Sequence, residues 1–404
     1  MHHSGWAGIM LLRLLVLFVA TVGLQAQPLS WALPEEVGMS SARLARLDEV
    51  IQRAVLEGET PGAVALVARK GKIVYRKAFG YKSLVPRKES VSIDTIFDVA
   101  SMTKILATAP AVMLLVEEGK ISLTDPVSAY LPGFARNGKG GVTVLQLLTH
   151  FSGLRPDLDL DEPWDGYETG IERALREQLV APPGEEFIYS DINYLVLAEM
   201  VRQVSGQPLY EFAAQRIFGP LGMGHTYFFP PSELRNRIAP TEFRDGEMLQ
   251  GAVHDPTAFR MGGYAGHAGL FSTVEDTAVY SQMILNLGEF EGVRILSPLS
   301  VLKMTTSQSP EGADHWRGIG FDIRSPFSGP RGDLFPVGSI GHTGFTGTSL
   351  WIDPYSQTFV ILFTNRVHPE GEGSITSLRK KVASVVAASI RDAPIVPEHY
   401  YRRD

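Results

Sequence analysis

The sequence predicts a mixed α/β (α+β) fold: a sheet assembled from both ends of the chain, with a mainly helical segment inserted between its two parts. Three observations carry this. Segments rich in β-formers lie at residues 63–68 and 73–79 and return at 318–323, 348–352 and 359–363. Between about 120 and 308, apolar residues recur at helical spacing and alternate with loops rich in Gly, Pro and aromatics. A last helical pattern closes the chain at 374–390. The expected organisation is a sheet part from residues 27–120 and 309–404, and a helical part from 121–308.

Residues 1–26 stand apart. From Met10 to Ala26 one basic residue, Arg13, an apolar run and a small residue at Ala26 describe a secretory leader with cleavage near Gln27. Leu24 occupies a position where a small residue is preferred, so retention of 10–26 as a membrane anchor is the alternative. Either way the expectation is export, to a periplasmic or secreted location.

The mature chain opens with Ser40 or Ser41 as cap of a helix whose apolar positions are Leu44, Leu47, Val50, Ile51 and Val55. Gly58 and Pro61 end it. The strands at 63–68 and 73–79 flank Lys70-Gly71, a hairpin signal. A polar stretch from Asp94 then switches near Ser101 to the apolar run 105–116, which reads as a loop entering a buried helix. Helical patterns follow at 142–149, 171–179, 194–204, 209–217 and 273–287, and Gly138, Gly140 and Gly141 read as a surface loop. Asp353-Pro354 turns the chain between the last two strands.

Composition narrows the chemistry. With 44% hydrophobic and 20% charged residues the chain can bury a large core. Net charge of −7 leaves no electrostatic footprint for nucleic acid. No cysteine is present, which removes thiol nucleophiles, thiolate metal sites and disulfides. The ten histidines show no metal-ligand spacing, and no phosphate-binding glycine loop occurs, so neither metal nor cofactor is expected.

Three segments carry chemistry. On a helix opening at Ser101, Lys104 lies one turn on, on the same face. Burial would lower its pKa from about 10.4 and make a neutral amine accessible. Tyr189, in Tyr189-Ser190-Asp191, sits in a loop opening a helix, where a phenol beside an ammonium could serve as general base. In Gly341-His342-Thr343-Gly344-Phe345-Thr346-Gly347, a Gly-rich turn leads into a strand, and Gly344 leaves room for another backbone. His342 and Thr343 offer polar groups there, and the Phe345 N–H could join that of Ser101 in an oxyanion hole. Each segment alone is compatible with ordinary packing.

Together, S-x-x-K, Y-S-D and H-T-G, in this order and with a helical insert between sheet parts, resemble the serine β-lactamase and penicillin-binding protein superfamily. The likeness is to its class C-like branch, which includes DD-peptidases and family VIII-type esterases. Stretches 147–154, 263–273 and 364–369 resemble the same branch. The resemblance implies an antiparallel sheet flanked by helices, with Ser101 as acylated nucleophile, Lys104 as its proton partner and Tyr189 as general base. It implies an oxyanion hole from the Ser101 and Phe345 N–H groups, and a cleft lined by His342, Thr343 and Gly344. His267 is expected to wall the site or to be a bonded structural histidine, and Arg366 to hold a substrate carboxylate or to lie solvated.

Two departures bear on substrate. Asp191 stands where an amide donor is common; when ionised it only accepts, and it would pair with Lys104 and raise its pKa. His342 stands where β-lactamases often carry Lys. Both shift the expectation from β-lactams toward D-Ala-D-Ala peptides and small esters. The competing expectation is a non-catalytic binder of cell-wall peptides or partner proteins on the same fold. An α/β-hydrolase would need a G-x-S-x-G elbow, and none is present.

Overall fold

The computed structural model describes Met1, residues 29–371 and residues 373–392. The leader expected at 10–26 lies outside them. Among the described residues the main sheet has eight strands: β1 (Gly62–Arg69), β2 (Lys72–Ser83), β3 (Glu89–Ser90), β4 (Trp316–Arg317), β5 (Asp322–Arg324), β6 (Ile340–Thr343), β7 (Ser349–Asp353) and β8 (Thr358–Thr364). Their order is β4-β5-β6-β7-β8-β1-β2-β3. Every pairing in it is antiparallel.

The central pair joins the two ends of the chain, Ala63 opposite Thr364 and Arg69 opposite Thr358. Both strands read as unbroken apolar runs because both faces are covered. Val64, Leu66, Phe359, Ile361 and Phe363 pack toward the larger, mainly helical side. Ala63, Ala65, Val67, Val360 and Leu362 pack on the other side with Leu47 and Ile51 of helix Arg46–Leu56 and Leu378, Val382 and Val386 of helix Thr376–Ser389.

Local chemistry explains most boundaries. Ser40 accepts from the Arg43 N–H at 3.4 Å and caps the first turn. Lys70 (φ 48°) and Gly71 (φ 78°) form a tight two-residue connection between β1 and β2. Thr143 and Gln146 form a capping box at helix Val144–Leu148. Helix Asp191–Ser205 follows the Tyr189 loop, and Gly206 ends it in the left-handed conformation.

The structure corrects two strand expectations. The single strand expected at 318–323 is two short strands, β4 and β5, around a turn in which Gly318 N–H bonds Phe321 O at 2.9 Å and Gly320 takes φ 82°. Residues 341–343 are not a turn before a strand; they are strand β6 itself, with His342 opposite Leu350 and Thr343 opposite Ser349. The helix expected at 171–179 runs earlier, Tyr167–Arg176, and the one at 209–217 turns π-helical at Ala214–Phe218.

The stretch entering at Ser101 is not uniformly α-helical. It begins as a 3-10 turn, Ala100–Met102, continues as a π-helical turn, Lys104–Thr108, and becomes α-helical at Ala109–Glu117. Pro110 has no N–H to give back to the preceding turn, and the Ala109 N–H reaches five residues back to Lys104 O. Residues 100–117 are long and apolar enough to cross a membrane by composition, yet 83% of that window is buried inside the protein. This is the core helix of the molecule.

Candidate active site

Ser101 lies where the buried helix begins, and the backbone before it is held in an uncommon shape. Ala100 takes φ 45°, which costs an alanine roughly 1–2 kcal/mol. Asp98 stabilises this turn from both carboxylate oxygens, accepting from the Ala100 N–H and the His254 N–H, each at 2.8 Å. Lys104 is fully buried one turn on, and its Nζ donates to Ser101 Oγ at 3.0 Å. The same ammonium donates to the His267 carbonyl at 3.2 Å and forms an ion pair with Asp191 Oδ1 at 2.6 Å.

The charge state of this lysine follows from its surroundings. Burial pushes the ammonium down, but the negative charge of Asp191, with Tyr189 beside it, holds Lys104 above its ordinary value. The lowered lysine expected from burial alone is therefore corrected. The raised lysine expected from pairing with Asp191 is what the geometry supports.

Tyr189 lies over Lys104, with Nζ 5.0 Å from its ring centroid, and the Lys104 and Ser101 side chains beside its hydroxyl both favour the phenolate. Burial raises this phenol; Lys104 opposes that rise, Asp191 adds to it, and the net direction is upward. Tyr189 is thus protonated at rest, in contrast to the phenolate expected beside an ammonium. Its ring stacks on His150 at 4.4 Å, and His150 Nδ1 accepts the Ser190 N–H at 3.0 Å. Burial, with Arg317 and Lys104 nearby, holds His150 well below the usual imidazole range, so it supports Tyr189 as a neutral ring.

Strand β6 brings the third segment alongside. A Cβ on Gly344 would lie 2.4 Å from Val99 O and 2.2 Å from Thr348 Oγ1, so the backbone that needs this glycine is the protein's own, just before Ser101. Thr346 Oγ1 donates to Asp98 O at 2.6 Å and Thr348 Oγ1 to Val99 O at 3.1 Å. These bonds fasten the turn after β6 to the serine turn. Among the described residues the Phe345 N–H has no hydrogen-bond partner. His342 Nδ1 is 2.8 Å from Thr343 O, so Nδ1 carries the proton, and the buried Nε2 remains a free acceptor. Burial, Arg317 and Lys104 keep His342 neutral.

A cleft of about 330 Å³ opens over these groups. Ser101, Tyr189, His342, Thr343, Gly344, Phe345 and Arg366 all line it, with Phe327, Pro330 and Ile375 supplying apolar wall. Arg366 stacks 4.4 Å over the Phe345 ring and donates to Gly373 O at 2.7 Å. Two expected lining residues sit elsewhere. Asp191 turns to Lys104, and His267 is buried behind it, with Nε2 2.8 Å from Asp255 Oδ1. Asn193 is also committed, accepting from Ser152 Oγ at 2.6 Å. Asp191, Asp255 and His267 place possible metal-ligand atoms within 4.8 Å of one another, but the Lys104 ammonium already supplies the cation on Asp191.

Four supporting residues were not singled out from the sequence. His150 sits within the stretch 147–154, but nothing in its spacing indicates a ring stacked on Tyr189. Asp255 precedes Pro256 and reads as a helix cap, which it also is, accepting from the Ala258 N–H at 2.8 Å. Arg317 lies in β4 and donates to Gly320 O at 3.0 Å. Arg379 donates to both Gly344 O and Thr348 O at 2.7 Å. Its signal was an arginine set within the buried stripe of Leu378, Val382 and Val386.

Comparison with known proteins agrees with this arrangement. A family model described as Beta-lactamase matches residues 47–383. A Salmonella typhimurium protein named "Putative D-alanyl-D-alanine carboxypeptidase" is 33% identical over 390 residues, covering 88% of this chain and 90% of its own. The octameric penicillin-binding protein homologue of Pyrococcus abyssi superposes with TM-score 0.66 and 28% identity, over 83% of this chain and 76% of its own. The hydrolase EstCE1, described as having promiscuous acyltransferase activity, gives TM-score 0.68 at 23% identity, over 86% and 99%. The chain belongs to the Beta-lactamase family and is a serine hydrolase of the β-lactamase and penicillin-binding protein type.

Proposed function

We propose that this hydrolase is exported and acts through an acyl-enzyme on Ser101, cleaving peptides ending in D-Ala-D-Ala or small carboxylic esters in preference to β-lactams. The observation that carries the proposal is the Ser101 hydroxyl bonded by Lys104 Nζ at 3.0 Å, in a cleft lined also by Tyr189 and beside the free Phe345 N–H. Ser101 Oγ attacks the substrate carbonyl, and its proton enters the hydrogen-bonded group around Lys104. The oxyanion is received by the Ser101 and Phe345 N–H groups, where fixed dipoles act without reorganisation. Tyr189, protonated at rest, supplies the proton that the leaving group needs. Water then repeats the sequence on the ester.

Substrate preference follows from which groups face the cleft. Arg366 offers a guanidinium for a carboxylate, and Phe327, Pro330 and Ile375 offer apolar surface to an acyl group or an ester. Asp191 as a carboxylate has no proton to donate to a β-lactam side-chain amide, and Asn193 is fully buried with its Nδ2 3.4 Å from His150 Nδ1. The carboxypeptidase-named relative supports the peptide reading, and the esterase-like apolar wall supports the ester reading. Export rests on residues 10–26, and N-terminal sequencing of the periplasmic or secreted fraction checks it.

The test is intact-protein mass spectrometry with a fluorescent penicillin, alongside turnover of p-nitrophenyl butyrate and a D-Ala-D-Ala peptide. Ser101→Ala is expected to lose any adduct and to fall by about 10³-fold or more. Tyr189→Phe should lose about 10²- to 10⁴-fold. Wild type no more active than Ser101→Ala on every substrate would instead favour a non-catalytic binder.

A further inference from the structure

The Lys104 ammonium raises a question of proton accounting. A charged amine has three N–H donors and no lone pair, so it cannot accept the Ser101 proton as it stands. It donates to Ser101 Oγ at 3.0 Å and to the His267 carbonyl at 3.2 Å, and it is ion-paired at 2.6 Å with Asp191 Oδ1, a buried oxygen that accepts no hydrogen bond among the described residues. The carbonyl does not hold a proton at working pH, and Tyr189 is already protonated. Among the described residues Asp191 is the one carboxylate paired with Lys104, and it can take a proton.

We propose that Asp191 is the proton acceptor of acylation, working through Lys104: as Ser101 Oγ bonds the carbonyl carbon, its proton moves to Lys104 Nζ and a Lys104 proton moves to Asp191 Oδ1. The carbonyl π pair becomes the oxyanion. On collapse, the oxyanion pair re-forms the carbonyl, the bond between the acyl carbon and the leaving group breaks while the Ser101 Oγ–C bond is kept, the Tyr189 phenolic proton goes to the leaving group, and the proton on Asp191 returns through Lys104 to Tyr189. No proton is gained or lost overall. This proposal rests on the Ser101 acyl-enzyme reading and extends it to the residue by which this chain departs from the family's usual second motif.

The surroundings are arranged for it. Asp191 is influenced by Lys104 from the serine helix, by Tyr189 from its own loop, by His267 and Asp255 from the 255–267 segment, and by Asp157 from the loop before helix Tyr167–Arg176. His267 and Asp255 form their own pair at 2.8 Å, which leaves Asp191 as the direct counter-ion of Lys104. His267 also accepts a hydrogen bond from the Lys104 ammonium through its carbonyl, which holds Nζ between Ser101 and Asp191. Within the cluster, Asp191 is a positioning and proton-holding residue; it touches Lys104, not the substrate.

The experiment is the pH profile of kcat/KM on p-nitrophenyl butyrate for wild type, Asp191→Asn, Asp191→Glu and Ser101→Ala. The wild-type rate should be level from neutral to alkaline pH. Asp191→Asn should be about 10²- to 10⁴-fold slower at neutral pH and rise about tenfold per pH unit toward alkaline, because its lysine must now lose a proton before accepting one. Asp191→Glu should regain most of the rate and the level alkaline arm. Asp157→Asn should leave that arm unchanged, which separates the two carboxylates.

An Asn variant with the wild-type rate and profile overturns the proposal. So does an Asn variant slowed equally at every pH, which marks a merely structural residue. If the Asn variant does not fold, the wild-type profile decides: a rate still climbing about tenfold per unit above neutral pH means a free amine is the base, and the proposal fails. Ser101→Ala as active as wild type sinks the acyl-enzyme reading itself. Ser101→Ala inactive with Asp191→Asn unaltered sinks only the Asp191 proposal.

Discussion

An isolated ammonium buried as fully as Lys104 would be driven toward the neutral amine, and pairing at 2.6 Å with Asp191 reverses the direction. The nearby Asp157 shows burial winning instead. Desolvation, its largest influence, lifts the carboxyl from 3.8 to about 6; His267 opposes this, and Asp191 and Asp255 add to it. Between about pH 4 and 6 the folded state therefore keeps a proton that the unfolded state has lost. Stability falls as pH rises through that window, by about 3 kcal/mol in all for a shift of roughly two units. At pH 8 the full penalty is present. Asparagine keeps the side-chain oxygen that accepts from the Leu158 N–H at 2.7 Å and from Thr257 Oγ1 at 3.1 Å. Asp157→Asn should therefore melt higher than wild type at pH 8 and show no such gain at pH 4, in parallel calorimetric scans; an Asn variant that melts lower at pH 8 contradicts this account. At this scale, Ser101, Lys104 and Tyr189 were legible because each sits in a short motif of fixed spacing. Asp157, Asp255 and His150 were not, because their roles come from neighbours distant in the chain.

The turn after β6 carries a different kind of information. Its glycine, Gly344, is set against the Val99 carbonyl, so the strand end and the serine turn share one contact surface. Adding a methyl group at Gly344 must push the two apart, since Val99 O is backbone and cannot rotate away. Overpacking of this kind costs about 1–3 kcal/mol. A displacement of the Phe345 N–H by even about 1 Å costs on the order of 10²-fold in rate. Gly344→Ala should thus lower kcat by about 10²-fold with a smaller change in KM, and lower the melting temperature as well. Retention of wild-type kcat would show that Phe345 is not fixed through this contact. The sequence marked the glycines here but read the element wrongly, because the four residues Ile-Gly-His-Thr of β6 hold one large apolar side chain and give no alternation to follow. The two-residue strands β3 and β4 are likewise too short to leave a period.

Across the whole molecule, the sheet ties the ends of the chain together. The strands that do so were the most legible elements, since a central strand covered on both faces must be apolar at consecutive positions. Their pairing was legible only through the resemblance, because β1 and β8 meet across roughly 290 intervening residues and closing so long a loop leaves no local signature. This pairing has a consequence for local stability. Every backbone hydrogen bond between β1 and β8 lies between two hydrophobic clusters, one that includes the serine helix and one that includes helix Thr376–Ser389. Breaking the pair exposes both clusters at once, so it has no inexpensive partial opening. Hydrogen exchange followed strand by strand should place 63–68 and 359–363 among the slowest amides, with the same opening free energy on both strands. The two-residue strand Trp316–Arg317, at the end of the sheet, should open at lower cost. If β1 amides exchanged well before those of β8, the first strand would be detachable, and helix Val274–Leu285, which packs on both strands, would rest on a less stable support than the sheet implies.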